Sequence, residues 1–406
     1  MPAASRSAPT RTKSWSTSKL RLLVYSLLAF QLAQAAWFRT SLFPFIRSYW
    51  VISYDHGFVR RGLTGSALEL LAGPPTAATI EIAACVVAAL AVATLVVLIE
   101  LLIRRRSSAT AGIAVLLACS PFTAEYLAFQ RRPDVLAVPV LVGFGIALVR
   151  APHRRRACCV VAGLAFGVLA LAHEAVVLQT VPWALLLAVV LASAHRTDLG
   201  RDAREEVRDL VWLLLPPAAV FLVVARYGLP GHGRVAEIRA DAGRFHWPRG
   251  TTMLDVLGDS IRDSFARVVA VPHDALLATV LFGALLVAVH ALWLSKSAHV
   301  SVVRTALGAR PHLLGGGSVA AVAVGGVVLF ATGIDWMRWI AGSALMWLLV
   351  SAIVSLAHDD PLRTESESGV VLSRWVVPVA IYLALLFPLG EILTPGQAVH
   401  VLFLGR

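Results

Sequence analysis

Long apolar runs recur along this chain of 406 residues, and they constrain its fold more than any other feature. Each run is about 15 to 25 residues long, which is the length that lets an α-helix cross the hydrocarbon core of a bilayer. Hydrophobic residues make up 58% of the sequence, and a soluble protein of this size cannot bury that much apolar surface. Backbone groups in lipid must form hydrogen bonds within their own segment, so the spans are helices. The sequence therefore predicts an all-α fold, a polytopic transmembrane helix bundle.

The charged segments between the runs predict the topology. Positive residues concentrate in cytoplasmic loops, and segments rich in them follow every second span. A cytoplasmic amino terminus and about eleven spans place all of these segments on the same side. They are Arg104-Arg105-Arg106, residues 150–156, 195–209, 296–312 and 358–374.

This topology divides the chain into a short tail and one large membrane domain. Residues 1–18 form a basic, disordered cytoplasmic tail, and residues 19–406 form a single multi-span domain. The first apolar run resembles a signal sequence but lacks a small-residue cleavage site, so we expect it to be an uncleaved span. The loops 39–77 and 227–274 then lie on the external face of a bacterial plasma membrane.

The net charge of +12 at pH 7 does not indicate nucleic-acid binding, because the basic residues are scattered between the spans. The cysteines fall in apolar runs, where we interpret them as small buried hydrophobic residues rather than a disulfide framework or a metal cluster. They are Cys85, Cys119, Cys158 and Cys159.

The first loop carries the densest group of chemically active residues, from Tyr54 to Gly65. Asp55 is the candidate catalytic residue, because a carboxylate near arginines stays ionised and can accept a proton from a hydroxyl. It is also the candidate ligand for a divalent cation, Mg²⁺ or Mn²⁺, together with substrate phosphate oxygens. The structural alternative is a turn residue that caps a short helix starting near Gly62. His56 is a candidate for the substrate pocket.

Arginines are unexpectedly frequent in the predicted external loops, where the positive-inside bias predicts few cations. Guanidinium groups suit phosphate oxygens, because bidentate contacts fix the orientation of the anion. The alternative is that they pair with lipid headgroups or with Asp134 and Asp335. The candidates for binding a donor phosphate are Arg60, Arg61, Arg131, Arg132 and Arg338.

Other polar residues interrupt the apolar runs on the same predicted side. The pair His173-Glu174 marks a tight turn between two spans, and Glu125 lies on a helix or re-entrant piece with apolar neighbours. A charged residue at membrane depth costs about 2.5–3.5 kcal/mol and usually has a partner. The candidate pocket residues are His56, Glu125, His173, Glu174, Asp335, Trp336 and Trp339; the two tryptophans equally suit an interfacial belt and Asp335 a helix N-cap.

Polar and apolar residues alternate at helical spacing from Met253 to Val269 in the long loop. This pattern predicts one amphipathic helix on the membrane surface.

The arrangement resembles the membrane glycosyltransferases of the GT-C superfamily. In those proteins a functional aspartate lies in the first external loop, directly after the first span, and Asp55 occupies the matching place. The resemblance implies a polyprenyl-phosphate-linked sugar donor, such as a lipid-linked arabinofuranose, and inverting transfer to a hydroxyl of a glycan or protein acceptor. Many members have an acidic pair in this loop, whereas His56 follows Asp55 here, so metal dependence stays open.

Two other functions fit the same residues. In a transporter or flippase for an anionic lipid or sugar phosphate, the arginines line a translocation path, although the internal repeat common in transporters is absent from the sequence. In an assembly subunit without chemistry, the first loop serves only to bind partner proteins.

Overall fold

The computed structural model describes nine stretches of the chain: residues 14–38, 44–199, 202–242, 252–296, 312–358, 370–373, 375–387, 389 and 394–404. Most of the predicted basic tail lies outside these residues. Helices account for nearly all of the described structure. The α-helices are α1 Thr17–Phe38, α2 Pro44–Ser48, α3 Gly62–Ala72, α4 Ala77–Arg104, α5 Ser108–Cys119, α6 Pro121–Ala124, α7 Ala137–Arg150, α8 Arg155–Ala172, α9 Ala175–Gln179, α10 Val181–Leu199, α11 Ala203–Tyr227, α12 His232–Ala242, α13 Ile261–Val269, α14 His273–Lys296, α15 His312–Thr332, α16 Trp336–His358, α17 Val376–Leu385 and α18 Pro395–Leu404.

Several short elements complete the backbone. A π-helical turn covers Glu125–Phe129, and 3-10 turns cover Pro133–Leu136, Pro152–Arg154 and Met253–Asp255. Two strands of two residues, β1 (Ser14–Trp15) and β2 (Val370–Val371), pair in antiparallel register with Ser14 opposite Val371.

The fold is the polytopic helical bundle that the apolar runs predict. Within the described residues, nine helices are long and apolar enough to cross a membrane. The pair Ser108–Cys119 and Pro121–Phe129, bent by 54°, makes a tenth. The shorter apolar helix α17 lies at the place of the predicted eleventh span.

Two helices form the centre of the bundle. All residues of α5 from Ala109 to Cys119 are buried, and α16 is buried along most of its length. Many of the buried side chains in α5 are small, which lets neighbouring helices approach closely. The peripheral helices α8 and α11 pack on each other and expose Val161, Leu222 and other apolar side chains, as expected for surfaces that face lipid.

The two loops that we expect to be external pack together into a cap. We use this name for residues 44–73 together with the described residues of 228–271. The cap has its own apolar cluster, in which Ile46 and Ile52 from the first loop meet Ile238 and Leu257 from the second. It is therefore a folded unit on one end of the bundle.

The amphipathic segment of the long loop does contain a helix, although a shorter one than residues 253–269. The structure divides it into the 3-10 turn at Met253 and the helix α13. Ser260 caps α13, with its hydroxyl accepting from the backbone N–H of Asp263 and the Asp263 carboxylate bonding back to the Ser260 N–H. This capping box starts a new helix and so interrupts the periodic pattern. The helix α13 keeps an exposed apolar stripe of Ile261, Phe265 and Val269.

The described parts of the basic segments lie at the opposite end of the bundle from the cap. There, Arg105 donates to the carbonyl of Leu356, and the strand at Val370 pairs beside the start of α1. Buried Arg155 lies 3.5 Å from the carboxylate of Asp209 at the same end. The alternation of loops between the two ends is thus the one that the charge pattern predicts.

Candidate functional site

Ion pairs join chain segments that are far apart in sequence at the base of the cap. Arg61 lies in the first loop, and its Nε donates to Glu174 Oε2 at 2.9 Å while its Nη2 donates to the other carboxylate oxygen. Arg132 Nη1 lies 2.6 Å from Asp335 Oδ2. Each pair therefore joins two segments that we expect on the external side: the first loop meets the His173-Glu174 turn, and Arg132 meets the start of α16.

Electrostatics hold the Arg61–Glu174 pair in its charged form. Burial alone raises the pKa of Glu174, but the charge and hydrogen bonds of Arg61 outweigh it and hold this pKa well below its usual range. Burial lowers the pKa of Arg61, and Glu174 raises it above its ordinary value. A carboxylate and a guanidinium in bidentate contact compensate each other's loss of hydration.

Tyr49 lies between the arginines and the histidine of this cluster. Its ring stacks on His173 with centroids 5.3 Å apart and planes inclined by 15°. The guanidinium carbons of Arg61 and Arg132 each lie 5.1 Å from the ring centroid. Both arginines also donate to the Tyr49 hydroxyl at 3.5 Å. Cation–π contacts of this kind orient guanidinium groups as well as attracting them.

The backbone of the first loop explains its glycines. Arg61 has φ 67°, a left-handed conformation uncommon for a residue with a Cβ, and it directly precedes α3. A Cβ on Gly62 would lie 2.3 Å from the ring of Tyr54, and one on Gly65 would lie 2.3 Å from the carbonyl oxygen of Ile52. Only glycine therefore lets α3 approach the preceding segment and present Arg61 to the bundle.

A second, deeper group of charges extends the cluster into the bundle. Arg338 bonds Asp134 and lies 3.8 Å from Asp335, which thereby bridges Arg338 and Arg132. Tyr126 Oη is 3.4 Å from Asp134 Oδ2 and 3.2 Å from Gln179 Oε1. Arg338 and Asp134 are each 1% exposed. The structure thus shows the acidic pairing that was the alternative to phosphate binding for Arg132 and Arg338.

A cavity of about 320 Å³ lies between the cap and the helices α9, α11 and α15. Three arginines and three carboxylates line it within a mostly apolar wall. Of the predicted site residues, it gathers Arg60, Arg61, His173, Glu174, Asp335 and Trp339. Other lining residues include Phe45, Tyr49, Leu178, Phe221, Val224, Asp259, Arg267 and Leu329.

Arg60 is distinct among the cations of this lining. Its Nε donates to the carbonyl of Leu257 at 2.9 Å, and its Nη2 donates to the carbonyl of Val256. No carboxylate among the described residues forms an ion pair with it. Burial lowers the pKa of Arg60, and the neighbouring charge of Arg61 lowers it further. An anion in the cavity would relieve this unfavourable environment.

Seven predicted site residues do not line the cavity. Arg132 and Arg338 belong to the deeper group of charges, and the other five lie elsewhere. Asp55 is exposed, and the ring of His56 lies 2.7 Å from the carboxylate of Asp241 on α12. Arg131 donates to the carbonyl of Ala128 and contacts Cys85 on α4. The expectation that they share one cavity with the other candidates was wrong, because the first loop folds back at Gly57 and presents Asp55 and His56 to the cap surface.

Glu125 also lies outside the cavity lining. It accepts from the side chain of Gln130 at 2.8 Å and from the backbone of Leu389 at 3.2 Å. It therefore fixes the carboxyl-terminal segment to the bend after α5. Trp336 also lies outside the lining, where its indole donates to the carbonyl of Gly333 and its ring packs edge-on against Phe330.

Among the described residues, no group of three or more His, Cys, Asp or Glu side chains is placed to hold a metal ion.

The sequence interpretation missed Tyr49, Asp259 and Arg267. Asp259 Oδ2 accepts from Arg267 Nε at 2.6 Å at the rim of the cavity. The sequence signal was available for the last two, because an acid and a base eight residues apart flank the capping box at Ser260. Tyr49 gave no signal, since an aromatic residue beside Trp50 is equally typical of a membrane interface.

The fold and the site define a multi-pass helical membrane protein with a charged cavity beneath a cap of two loops. The chain belongs to the family of the uncharacterised membrane protein Rv1490, whose model matches residues 21–232. That match includes the first loop, the buried charges from Glu125 to Glu174, and α11.

The curated relatives are similar over a shorter stretch. Uncharacterized protein Rv1490 of Mycobacterium tuberculosis and uncharacterized protein Mb1527 of Mycobacterium bovis are each 35% identical to this chain over 150 residues. The match covers 36% of this chain and 34% of each relative, so it spans about a third of their length. No solved structure matches the chain.

Proposed function

We propose that this protein is a membrane glycosyltransferase. It transfers a sugar from a polyprenyl-phosphate donor to an acceptor hydroxyl of a cell-envelope glycan or protein, at the external face of the plasma membrane. The observation that supports this most is Arg60: a half-buried cation that donates to two backbone carbonyls and lines a cavity at the cap end of a membrane bundle. Such a cation suits the phosphate of a lipid-linked sugar.

The cavity wall supports the same proposal by its polarity. Its apolar side chains from α11 and α15, such as Phe221, Val224 and Leu329, suit a prenyl chain. Arg60 and Arg61 lie at its polar end, where they stabilise the negative charge that develops on the phosphate as it leaves the sugar. Preorganised charge of this kind is usually the largest contribution to catalysis.

The proposal assigns the catalytic base to the cavity. Glu174 and Asp335 are buried in ion pairs, so either one accepts a proton only at the expense of its arginine. Asp259 lines the cavity and pairs with Arg267, whose side chain is 47% exposed. A pair at the surface contributes little stability, so Asp259 is the carboxylate that is most easily released to deprotonate an acceptor. Asp55, the residue expected from the resemblance, is the competing assignment.

The test is sugar transfer by the full-length chain in lipid nanodiscs. A radiolabelled polyprenyl-phosphate pentose is the donor, and a cell-envelope fraction provides acceptors. We expect Arg60→Gln to reduce transfer about 100-fold, as the loss of a charge-stabilising donor does. Arg239→Gln is the matched control, because Arg239 lies in the cap, pairs with Asp255 and is outside the cavity lining. Full transfer by Arg60→Gln would contradict the proposal.

A transporter or flippase for an anionic lipid or sugar phosphate is the second candidate. The buried network of Arg132, Asp335, Arg338 and Asp134 favours it, because ionisable groups inside a membrane bundle often mark substrate or ion pathways. Movement of a polyprenyl-phosphate sugar across liposomes containing the purified protein, without any glycosylated product, would support this function instead.

A further inference from the structure

Two side chains that line the cavity each have a buried nitrogen atom without a hydrogen-bond partner among the described residues. These atoms are His173 Nε2 and Trp339 Nε1. His173 is 1% exposed and Trp339 is 6% exposed, and both side chains line the cavity. An unsatisfied buried polar group costs about 1–3 kcal/mol. Two of them in one cavity lining indicate a ligand that completes their hydrogen bonds.

The tautomer of His173 follows from its other nitrogen. The backbone N–H of Ala175 donates to Nδ1 at 3.2 Å. A ring nitrogen that accepts a hydrogen bond carries no proton, so this bond assigns the proton of the neutral ring to Nε2. Burial lowers the pKa of His173 to about 3, and the charge of Arg61 lowers it too, so the ring is neutral at physiological pH. His173 is therefore a fixed hydrogen-bond donor and not a base.

Trp339 has the same chemistry, since an indole Nε1–H only donates. The guanidinium of Arg338 lies 4.6 Å from the Trp339 ring centroid and holds the ring in place. Glu174 and Asp335, which only accept when ionised, line the same cavity. Neutral donors and carboxylate acceptors beside the aromatic ring of Tyr49 complement a polyhydroxylated ligand, whose hydroxyls both donate and accept.

We infer that His173 Nε2–H and Trp339 Nε1–H bind oxygen atoms of the sugar in the lipid-linked donor, and that Arg60 binds its phosphate. This inference rests on the proposed function and adds the residues that recognise the sugar. A site that hydrogen-bonds a substrate hydroxyl rejects analogues without it far more strongly than an apolar pocket does. The two donors are therefore specificity determinants of the cavity.

The experiment separates the two nitrogens of His173. In His173→Asn the side-chain oxygen can replace Nδ1 and accept from Ala175, but the distal donor is lost. In His173→Gln the amide N–H₂ can replace the Nε2 donor. Trp339→Phe removes the other donor and keeps a ring, and Trp212→Phe on the exposed face of α11 is its control.

Binding is measured on the full-length chain in nanodiscs with two kinds of probe. One is bare polyprenyl phosphate, and the other is polyprenyl phosphate carrying a pentose or a hexose, whichever the wild type binds more tightly. We expect His173→Asn and Trp339→Phe each to lower the affinity for the sugar-linked probe about 10-fold, which corresponds to one lost hydrogen bond. Binding of bare polyprenyl phosphate by every variant, and binding of both probes by Trp212→Phe, should stay within about threefold of the wild type. His173→Gln, which keeps a distal donor, should weaken binding of the sugar-linked probe less than His173→Asn does.

Normal binding by His173→Asn with weak binding by His173→Gln would show that His173 only supports the turn at Ala175, and would overturn the inference. An equal loss of affinity for both probes would show that His173 and Trp339 act at the phosphate and not at the sugar, and would also overturn the inference. Unchanged binding by all variants would defeat the inference but leave the proposed function. Failure of the wild type to bind either probe would defeat the proposed function itself. The thermal unfolding midpoint of each variant verifies folding, and Trp339→Phe gives an independent result if His173 variants do not fold.

Discussion

Arg61 and Glu174 are 113 residues apart in sequence, and they form a bidentate ion pair at the base of the cap. The pair connects the first loop to the turn between α8 and α9. It therefore fixes the cap on the bundle and forms part of the cavity wall at the same time.

We predict that Glu174→Gln destabilises the protein by about 3–5 kcal/mol, because Arg61 is left buried without its counter-charge. Glu237→Gln is the control, since the side chain of Glu237 is 67% exposed, and surface changes usually stay within about 0.5 kcal/mol. Denaturant unfolding in detergent micelles measures both variants. Equal stability of the two would show that the ion pair does not hold the cap.

The buried pair of Asp134 and Arg338 gives a test by double substitution. Asp134→Leu or Arg338→Met alone leaves one buried charge without its partner. Each should lower the free energy of unfolding by about 3–5 kcal/mol. The double variant removes both charges, so we expect it to be more stable than either single variant. Additive losses would instead show that the two residues do not interact energetically. Thermal unfolding of the three variants provides the comparison.

Close packing of α3 predicts opposite effects for two glycine substitutions. Gly65→Ala places a Cβ against the carbonyl oxygen of Ile52, a backbone atom that cannot move aside, and should cost about 1–3 kcal/mol. Gly143→Ala in α7 meets nothing within 4 Å and should be neutral or slightly stabilising, because alanine favours helices. Hydrogen exchange of the cap measures the first effect locally. Similar protection in both variants would contradict the packing argument.

The cavity geometry predicts which carboxylate serves as the base. Asp259→Asn should reduce sugar transfer by about 100-fold or more while donor binding changes little, because general base catalysis contributes about 10²–10⁴-fold. Asp55→Asn should retain most of the transfer, because Asp55 lies outside the cavity lining. The reverse result would restore Asp55 as the base and require the acceptor to approach over the cap surface.

Burial of the His173 ring should make the stability of the protein depend on pH. The pKa of His173 is lowered to about 3 in the folded protein, whereas an unperturbed histidine has a pKa of about 6.5. Between these two pKa values the unfolded chain binds more protons than the folded chain. The contribution of His173 to the free energy of unfolding is therefore complete above about pH 6.5 and is lost as the pH falls toward 3. Within this range His173 changes the free energy of unfolding by at most about 1.4 kcal/mol per pH unit. In His173→Gln the thermal unfolding midpoint should depend less on pH between pH 4.5 and 6.5 than it does in the wild type. The same pH dependence in both proteins would show that another group titrates there.

Much of the architecture could be predicted because membrane helices leave strong local signals. The apolar runs gave the spans, and the charge bias gave their alternation, which the structure confirms from Arg105 and Leu356 at one end to Arg61 and Glu174 at the other. The meeting of the first loop with the His173-Glu174 turn followed from that alternation. The amphipathic helix of the long loop is shorter than predicted, because a capping box at Ser260 starts it within the apolar pattern.

The site could be predicted only in part. Charge type identified Arg60, Arg61, His173 and Glu174, since polar residues that interrupt apolar runs are costly and have partners. It did not distinguish Asp55 from Asp259, because both are loop aspartates with basic neighbours. The direction of the fold at Gly57 separates them, and that direction depends on contacts with α12, far away in sequence.

The sequence by itself determined that this chain is a helical bundle in a membrane and which loops share an end, because hydropathy and charge act locally along the chain. The tertiary structure alone decided that Arg132 and Arg338 are neutralised by acids while Arg60 faces the cavity with only backbone carbonyls. The physical reason is that a guanidinium's role depends on which distant carboxylate reaches it. Packing between helices sets that distance, and residue type does not encode it.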